Sequence, residues 1–307
     1  MNVIGLGASR LWFWTAWAGF SVLLGLVECP KAFAQTGQPS ALPSLQEADA
    51  ALKRHQPAEA VRIATQLIHN TPKDHRPVFL RATAYDMLHE YPKALADYTA
   101  GLQLDPKVAF GYQNRGAVYF RLSRFGESVA DFDKLIELLP SEAPQLWQRG
   151  ISLYYAGRYE DGRKQFELHQ TVNPYDVENA VWHFLCVARA SSIDKARAAL
   201  IPIERDARVP MMKVHALFAG RAKPEDVLVA ARADQPSAAE LDNRLFYAHL
   251  YLGLYYDALR DLQAAREHIY KAATDFKADH YMGDVARVHA QLLRQVNATQ
   301  EKTKPTR

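Results

Sequence analysis

The chain has 307 residues, 49% of them hydrophobic, enough for one large or two ordinary domains with well-buried cores. Lysine and arginine number 37 against 34 acidic residues, a formal net charge of +3. So weak an excess, with no concentrated basic stripe, argues against a dedicated nucleic-acid binder.

The N-terminal segment reads as a targeting element. Arg10 precedes a continuous apolar run over residues 11–27, followed by Pro30 and the tripeptide Ala32-Phe33-Ala34. A basic residue, an apolar core and a small-x-small site are the pattern of a secretory signal peptide, cleaved after Ala34. Two other readings stay open. The run is near the lower limit of about 17 residues for a spanning helix, so an uncleaved anchor is the first. Lipidation at Cys29 is the second, although Glu28 occupies a position that wants a small residue. Residues 35–43 then form a linker. With the leader removed Cys186 alone remains, so no internal disulfide is available. Its apolar helical surroundings, Trp182 to Val187, favour a buried structural thiol over a nucleophile.

From here the chain is periodic. Pro72, Pro106, Pro140 and Pro174 follow one another at intervals of 34 residues. Taking each proline as the thirty-second place gives units 41–74, 75–108, 109–142 and 143–176. The eighth place holds Ala48, Ala82, Gly116 and Gly150, and the twentieth Ala60, Ala94, Ser128 and Gly162. Two helices approach closely only where side chains are small, so these places predict the contact between helix A and helix B of a hairpin. Large groups surround it: Tyr85, Tyr119 and Leu153 at the eleventh place, Tyr98, Phe132 and Phe166 at the twenty-fourth. In helix B, Val129, Phe132, Leu135 and Ile136 recur at helical spacing. The proline then stops the helix. A fixed period of this length marks stacked supersecondary units and an all-α solenoid.

Over residues 177–240 the period is lost but helical patterning continues. Residues 180–190 with 193–204, and 210–218 with 225–233, read as two divergent hairpins. Ser237-Ala238-Ala239-Glu240 is a capping box. The register returns near Phe246, with Gly253 in the eighth place, Tyr256 in the eleventh, Ala265 in the twentieth and Ile269 in the twenty-fourth, a fifth unit at 246–279. Val285, Val288, His289, Leu292 and Leu293 form the apolar face of a capping helix within 241–295, and 296–307 reads as a disordered tail.

The stretches Tyr112-Gln113-Asn114-Arg115-Gly116-Ala117-Val118-Tyr119 and Leu146-Trp147-Gln148-Arg149-Gly150, with the proline period, resemble the tetratricopeptide repeat (TPR) family. The first unit matches least, with Ser44 at the fourth place and Pro57 at the interhelix turn, which suits a capping repeat. The order of leader, repeat block, irregular insert, late repeat and capping helix also resembles the bacterial NlpI-type envelope TPR proteins. That second resemblance implies an adaptor that brings a periplasmic protease or peptidoglycan hydrolases together with partners, periplasmic or otherwise exported.

No catalytic set emerges from the pattern. HExxH, a Cys/His ligand set and a Walker loop are missing, so neither a metal nor a cofactor is implied. His280 and His289 are too far apart for zinc ligands on one helix turn, and His183 and His215 read as core or groove residues. Asp131 and Asp133, two apart, read as solvated helix surface. The family resemblance instead implies a concave groove lined by helix A through places two, five, nine, twelve and thirteen. In this chain those are Arg76, Phe79, Asp86 and Met87, then Phe110, Gln113, Phe120 and Arg121, then Trp147, Ile151, Tyr154 and Tyr155. Aromatic residues and arginine dominate interface energetics, so a non-catalytic protein- or peptide-binding adaptor is expected. The family's carboxylate clamp is not expected, since Phe79, Gln113 and Thr83 stand where Lys and Asn would be needed. A carrier of small molecules or cell-wall fragments on the same aromatics is the alternative. Burial of these side chains against neighbouring helices or the C-terminal half is the bland reading.

Overall fold

The computed structural model describes residues 43–302, with side chains described through 295. The leader, the linker up to residue 42 and residues 303–307 lie outside the described residues. Four helical hairpins follow one another: α1 (Leu45–Lys53) with α2 (Pro57–Asn70), α3 (His75–Met87) with α4 (Tyr91–Leu104), α5 (Ala109–Arg121) with α6 (Phe125–Leu138), and α7 (Trp147–Tyr155) with α8 (Tyr159–Gln170). A 3₁₀ turn over Pro140–Gln145 replaces the start of the fourth helix A, where Pro144 breaks the α pattern. Then come α9 (Val177–Ala190), α10 (Ile193–Ala198), α11 (Met211–Phe218), α12 (Pro224–Ala231), α13 (Ala238–Ala258), α14 (Leu262–Thr274) and α15 (Tyr281–Lys302).

The small residues act as the repeat logic requires. A Cβ added to Gly150 would meet the Phe166 ring at 2.6 Å, and one on Gly253 would meet Ile269 at 2.5 Å. Eighth-place glycine thus packs on the twenty-fourth-place side chain in the fourth and the fifth units alike. The turn between helices A and B is equally regular. His55, His89, Ser123, Gly157 and Arg260, all at the fifteenth place, have φ of 54°, 57°, 58°, 75° and 66°. Each closes its helix with the paired bonds of a Schellman end, as in Glu90 N to Tyr85 O and His89 N to Asp86 O, both 2.9 Å. Gly220, between α11 and α12, repeats the arrangement at φ 74°, so the divergent insert keeps the hairpin turn after losing the repeat sequence.

Ser44 at the fourth place caps α1. Its hydroxyl accepts from Glu47 N at 3.2 Å and its own N–H donates to Glu47 Oε2 at 2.7 Å. The first helix A therefore starts late and is short.

An arginine ladder ties successive units together. Arg81 donates to Asp97 in its own unit (2.6 and 2.9 Å) and to Thr65 Oγ1 of the unit before (3.3 Å). Arg115 repeats this with Asp131 (2.8 and 2.7 Å) and Thr99 (3.2 Å). At Arg149 the partners trade types: the carboxylate is Asp133 of the preceding unit, at 2.7 Å, and the amide Gln165 of its own unit, at 2.9 Å. One carboxylate per guanidinium is kept. This corrects the expectation for Asp131, which is 5% exposed rather than solvated. Burial pushes its carboxyl up against the pull of Arg115.

Cores divide along the chain. The first three units hold small separate clusters around Ala51, Phe79 and Phe132. From Phe120 and Ile151 onward a continuous core runs through Trp182, Phe218, Tyr251 and Ile269 to Leu293. Cys186 lies in it, fully buried, and burial pushes its thiol up. The expected tail differs: α15 continues as helix through Lys302.

Candidate functional site

The concave face is built from α1, α3, α5 and α7, and it has two unlike ends. At the N-terminal end a depression of about 340 Å³ is lined by Leu45, Gln46 and Asp49 from α1, by His75 to Thr83 positions of α3, and by Phe110 from α5. Its floor is Phe79, 2% exposed. The ring rests on two glycines: a Cβ on either Gly101 or Gly111 would come within 2.8 Å of it. His75 meets it edge-on at 5.8 Å and Phe110 at 5.0 Å. Phe110 itself stays 50% exposed. The Arg76 guanidinium points outward but is engaged by Asp74, with Nη2 to Oδ2 at 2.7 Å, which holds that carboxyl below its usual range.

Arg121 marks the middle of the face. Its guanidinium donates to Asp86 of α3 at 2.9 Å and to Asp284 of α15 at 2.6 Å. Arg287 donates to the same Asp284 at 2.8 Å. Burial pushes the Asp86 carboxyl up, with Arg121 opposing. For Arg121 burial works against the charge, but the two carboxylates outweigh it and the guanidinium is held protonated. Gln113 and Met87 are half-buried and do not line the depression.

Beyond Arg121 the face is filled by the chain itself. Tyr281, at the start of α15, stacks on Phe120 (centroids 5.2 Å) and meets Trp147 edge-on at 5.1 Å. Phe120 and Ile151 are fully buried and Tyr154 nearly so. Tyr155 Oη lies 2.8 Å from His289 Nδ1 of α15, and Arg189 Nε donates to Tyr154 Oη at 3.2 Å. Arg189 also pairs with Asp257, which lies 3.7 Å from His289 Nε2. Burial pushes the Tyr155 phenol up and the His289 imidazole down, and in both groups this favours the neutral form.

The residues expected to line one groove are therefore separated. Arg76, Phe79 and Phe110 line the open depression; Asp86 and Arg121 form the junction; Phe120, Trp147 and Tyr155 meet α15, Tyr154 packs on Trp182 and Arg189 of α9, and Ile151 lies in the same core. The physical reason is that α15, packed on α14, brings Tyr281, Asp284 and His289 against Phe120, Trp147, Arg121 and Tyr155, and covering the aromatics there buries apolar surface on both sides. Leu45 and Asp49 are lining residues that the sequence reading passed over. They hold places five and nine of the first unit, and the groove register applied to that poorly matching unit would have found them. Among the described residues no three His, Cys, Asp or Glu side chains gather as a metal site. None of the described helices is long and apolar enough to cross a membrane.

A search against protein-family models found no match. Among solved structures, the chain is similar to a tetratricopeptide repeat protein from Parabacteroides merdae ATCC 43184, at 14% identity and a TM-score of 0.54, covering 81% of this chain and 97% of that one. It is also similar to MamA from Desulfovibrio magneticus RS-1 (17% identity, 50% of this chain and 86% of that one, TM-score 0.47). A third is YrrB, described as a TPR protein with an unusual peptide-binding site (20% identity, 74% and 99% covered, TM-score 0.41). Hairpins repeating the same close contacts and turns, in an array like that of the Parabacteroides protein, give this chain the fold of an all-α tetratricopeptide repeat solenoid.

Proposed function

We propose that the protein is a non-catalytic interaction scaffold that takes a peptide or protein partner in the open end of its concave face. One observation carries this reading: Phe110 stays half-exposed over the Phe79 depression, while the concave aromatics Phe120, Trp147 and Tyr155 further along meet α15. A solvent-facing aromatic beside an apolar hollow is the usual form of an interface anchor, and curved helical arrays use such concave surfaces for binding.

The site of action that fits the sequence is the bacterial cell envelope, reached through the N-terminal leader. Partners of the kind implied by the NlpI-type layout, a periplasmic protease or a peptidoglycan hydrolase, follow from that placement. The test is photo-crosslinking in cells from position 110, with position 229 as control, since Val229 is also exposed, at 69%. Capture of defined proteins from 110 alone, abolished by Arg76→Glu placed beside it, supports the reading. Equal capture from both positions, or none from 110, overturns it. The mass of the mature N-terminus decides between cleavage after Ala34, an uncleaved anchor and lipidation at Cys29.

A further inference from the structure

The closed end of the concave face shows what this surface accepts. The slot between the third and fourth helix A is filled by the first turn of α15, whose Tyr281 contacts Phe120 and Trp147. Trp147 holds the fifth place of its unit, and Phe79 holds the same place two units earlier. The slot between the first and second helix A thus has the same aromatic floor, with Leu45, Leu80 and Phe110 around it. The two slots belong to one continuous face. The helix that carries Phe79 also carries Asp86, which accepts from Arg121, and Arg121 donates on to Asp284 of α15.

The polar groups of the open slot narrow the choice of occupant. An extended peptide needs partners for its backbone N–H and C=O groups, whereas a helix satisfies its own. Around the slot those partners are already committed: Arg76 to Asp74, Asp49 to Lys53 at 2.6 Å, and Thr83 Oγ1 to the Phe79 carbonyl at 3.0 Å. Gln46 and His75 are left among the lining residues, and His75 Nδ1 lies 3.8 Å from Asp105 Oδ2. An apolar floor with so few free backbone-binding groups suits a helix that offers side chains only.

We propose that the open end seats an amphipathic helix of a partner protein. An aromatic or leucine side chain of that helix enters between Leu45, Phe79 and Phe110, and the helix lies along the groove in line with α15. This rests on the reading of the open face as a binding surface and adds the conformation and chemistry of the partner.

The probes are fluorescein-labelled synthetic peptides titrated into the full chain by anisotropy. One carries residues 279–295, the chain's own groove-filling sequence. A second carries Tyr281→Ala, and a third has proline in place of Val285 and Leu292, which prevents helix formation. The expected result is saturable binding of the first with a gain of helical circular dichroism. Binding should be about tenfold weaker for the Tyr281→Ala peptide, and about tenfold weaker again for the first peptide on a Phe110→Glu chain. Because Phe110 is half-exposed, that variant is expected to fold, which is checked by its melting curve. Binding that ignores Phe110→Glu but is lost on Trp147→Ala means exchange with the resident α15 and overturns the proposal. Equal binding of the proline peptide overturns the helical partner and leaves the open-face reading standing. If no peptide binds, the proposal falls, and crosslinking from position 110 still decides the broader reading.

Discussion

The two ends of this solenoid use one repeat grammar to opposite effect. At the N-terminal end each hairpin has its own small cluster, and the units are tied by the Arg81 and Arg115 rungs while the concave face stays open. At the C-terminal end one core runs through the divergent hairpins, and α15 lies in the groove as if it were a ligand. Concave aromatic residues therefore have no fixed meaning in such an array. Phe110 and Phe120 sit ten residues apart on one helix, and whether either is a binding residue depends on a helix that begins at Tyr281.

The largest expected effect breaks the closed end. Phe120→Ala removes a fully buried ring from contact with Phe125, Tyr155 and Tyr281, and should cost about 3–5 kcal/mol in urea denaturation. Phe110→Ala, at the open end, should cost no more than about 0.5 kcal/mol. Equal costs would erase the contrast between the ends. Next is Gly283→Ala: a Cβ there would lie 1.9 Å from the Ala278 carbonyl oxygen. The first turn of α15 would have to shift, at about 2 kcal/mol, and the Tyr281 and Asp284 contacts would shift with it. Loss of protection from hydrogen exchange in α15, with α3 and α4 unchanged, is the readout.

Acid sharpens the comparison further. His249 Nδ1 and His268 Nδ1 face each other at 2.9 Å in the fifth repeat. Burial first, and then His268, lower His249 to about 4. The unfolded chain, with a histidine pKa near 6.5, binds the proton more readily, so stability is lost as pH falls from about 6.5 towards 4. By pH 5 the loss due to this group should be about 2 kcal/mol. Burial pushes the Glu178 carboxyl up, which acts in the opposite sense, so the effect is read as the difference between the chain and His249→Asn. A difference that does not change between pH 7.5 and 5 would count against a buried neutral imidazole pair. The smallest effect is a gain. Ser123 holds φ 58° without being glycine, and its hydroxyl is buried without a hydrogen-bond partner. Ser123→Gly should therefore raise stability by about 1 kcal/mol, seen as a higher melting temperature.

Much of the architecture was legible because its causes are local. The prolines, the small eighth and twentieth places and the returning register near Phe246 all act within one hairpin. The left-handed fifteenth place was not read, because His55, His89, Ser123 and Arg260 hide a position that glycine would have announced. Asp131 was misread since its partner Arg115 lies 16 residues earlier, in the facing helix. The fate of the groove was least legible of all. The spacing of Val285, Val288 and Leu292 marks one buried face of α15, but amphipathicity does not say what covers it. The bond from Arg121 to Asp284 spans 163 residues, a pairing that the hairpin period does not contain.

The central claim is that α15 closes one end of the concave face and leaves the other open. It is tested most directly by thiol labelling of Phe110→Cys and Ile151→Cys chains, each in a Cys29→Ser background, with buried Cys186 as an internal reference. Cysteine at 110 should react at close to the rate of a free thiol, and cysteine at 151 at least about a hundredfold more slowly, through opening alone. Equal rates at the two positions in the folded chain would contradict the account.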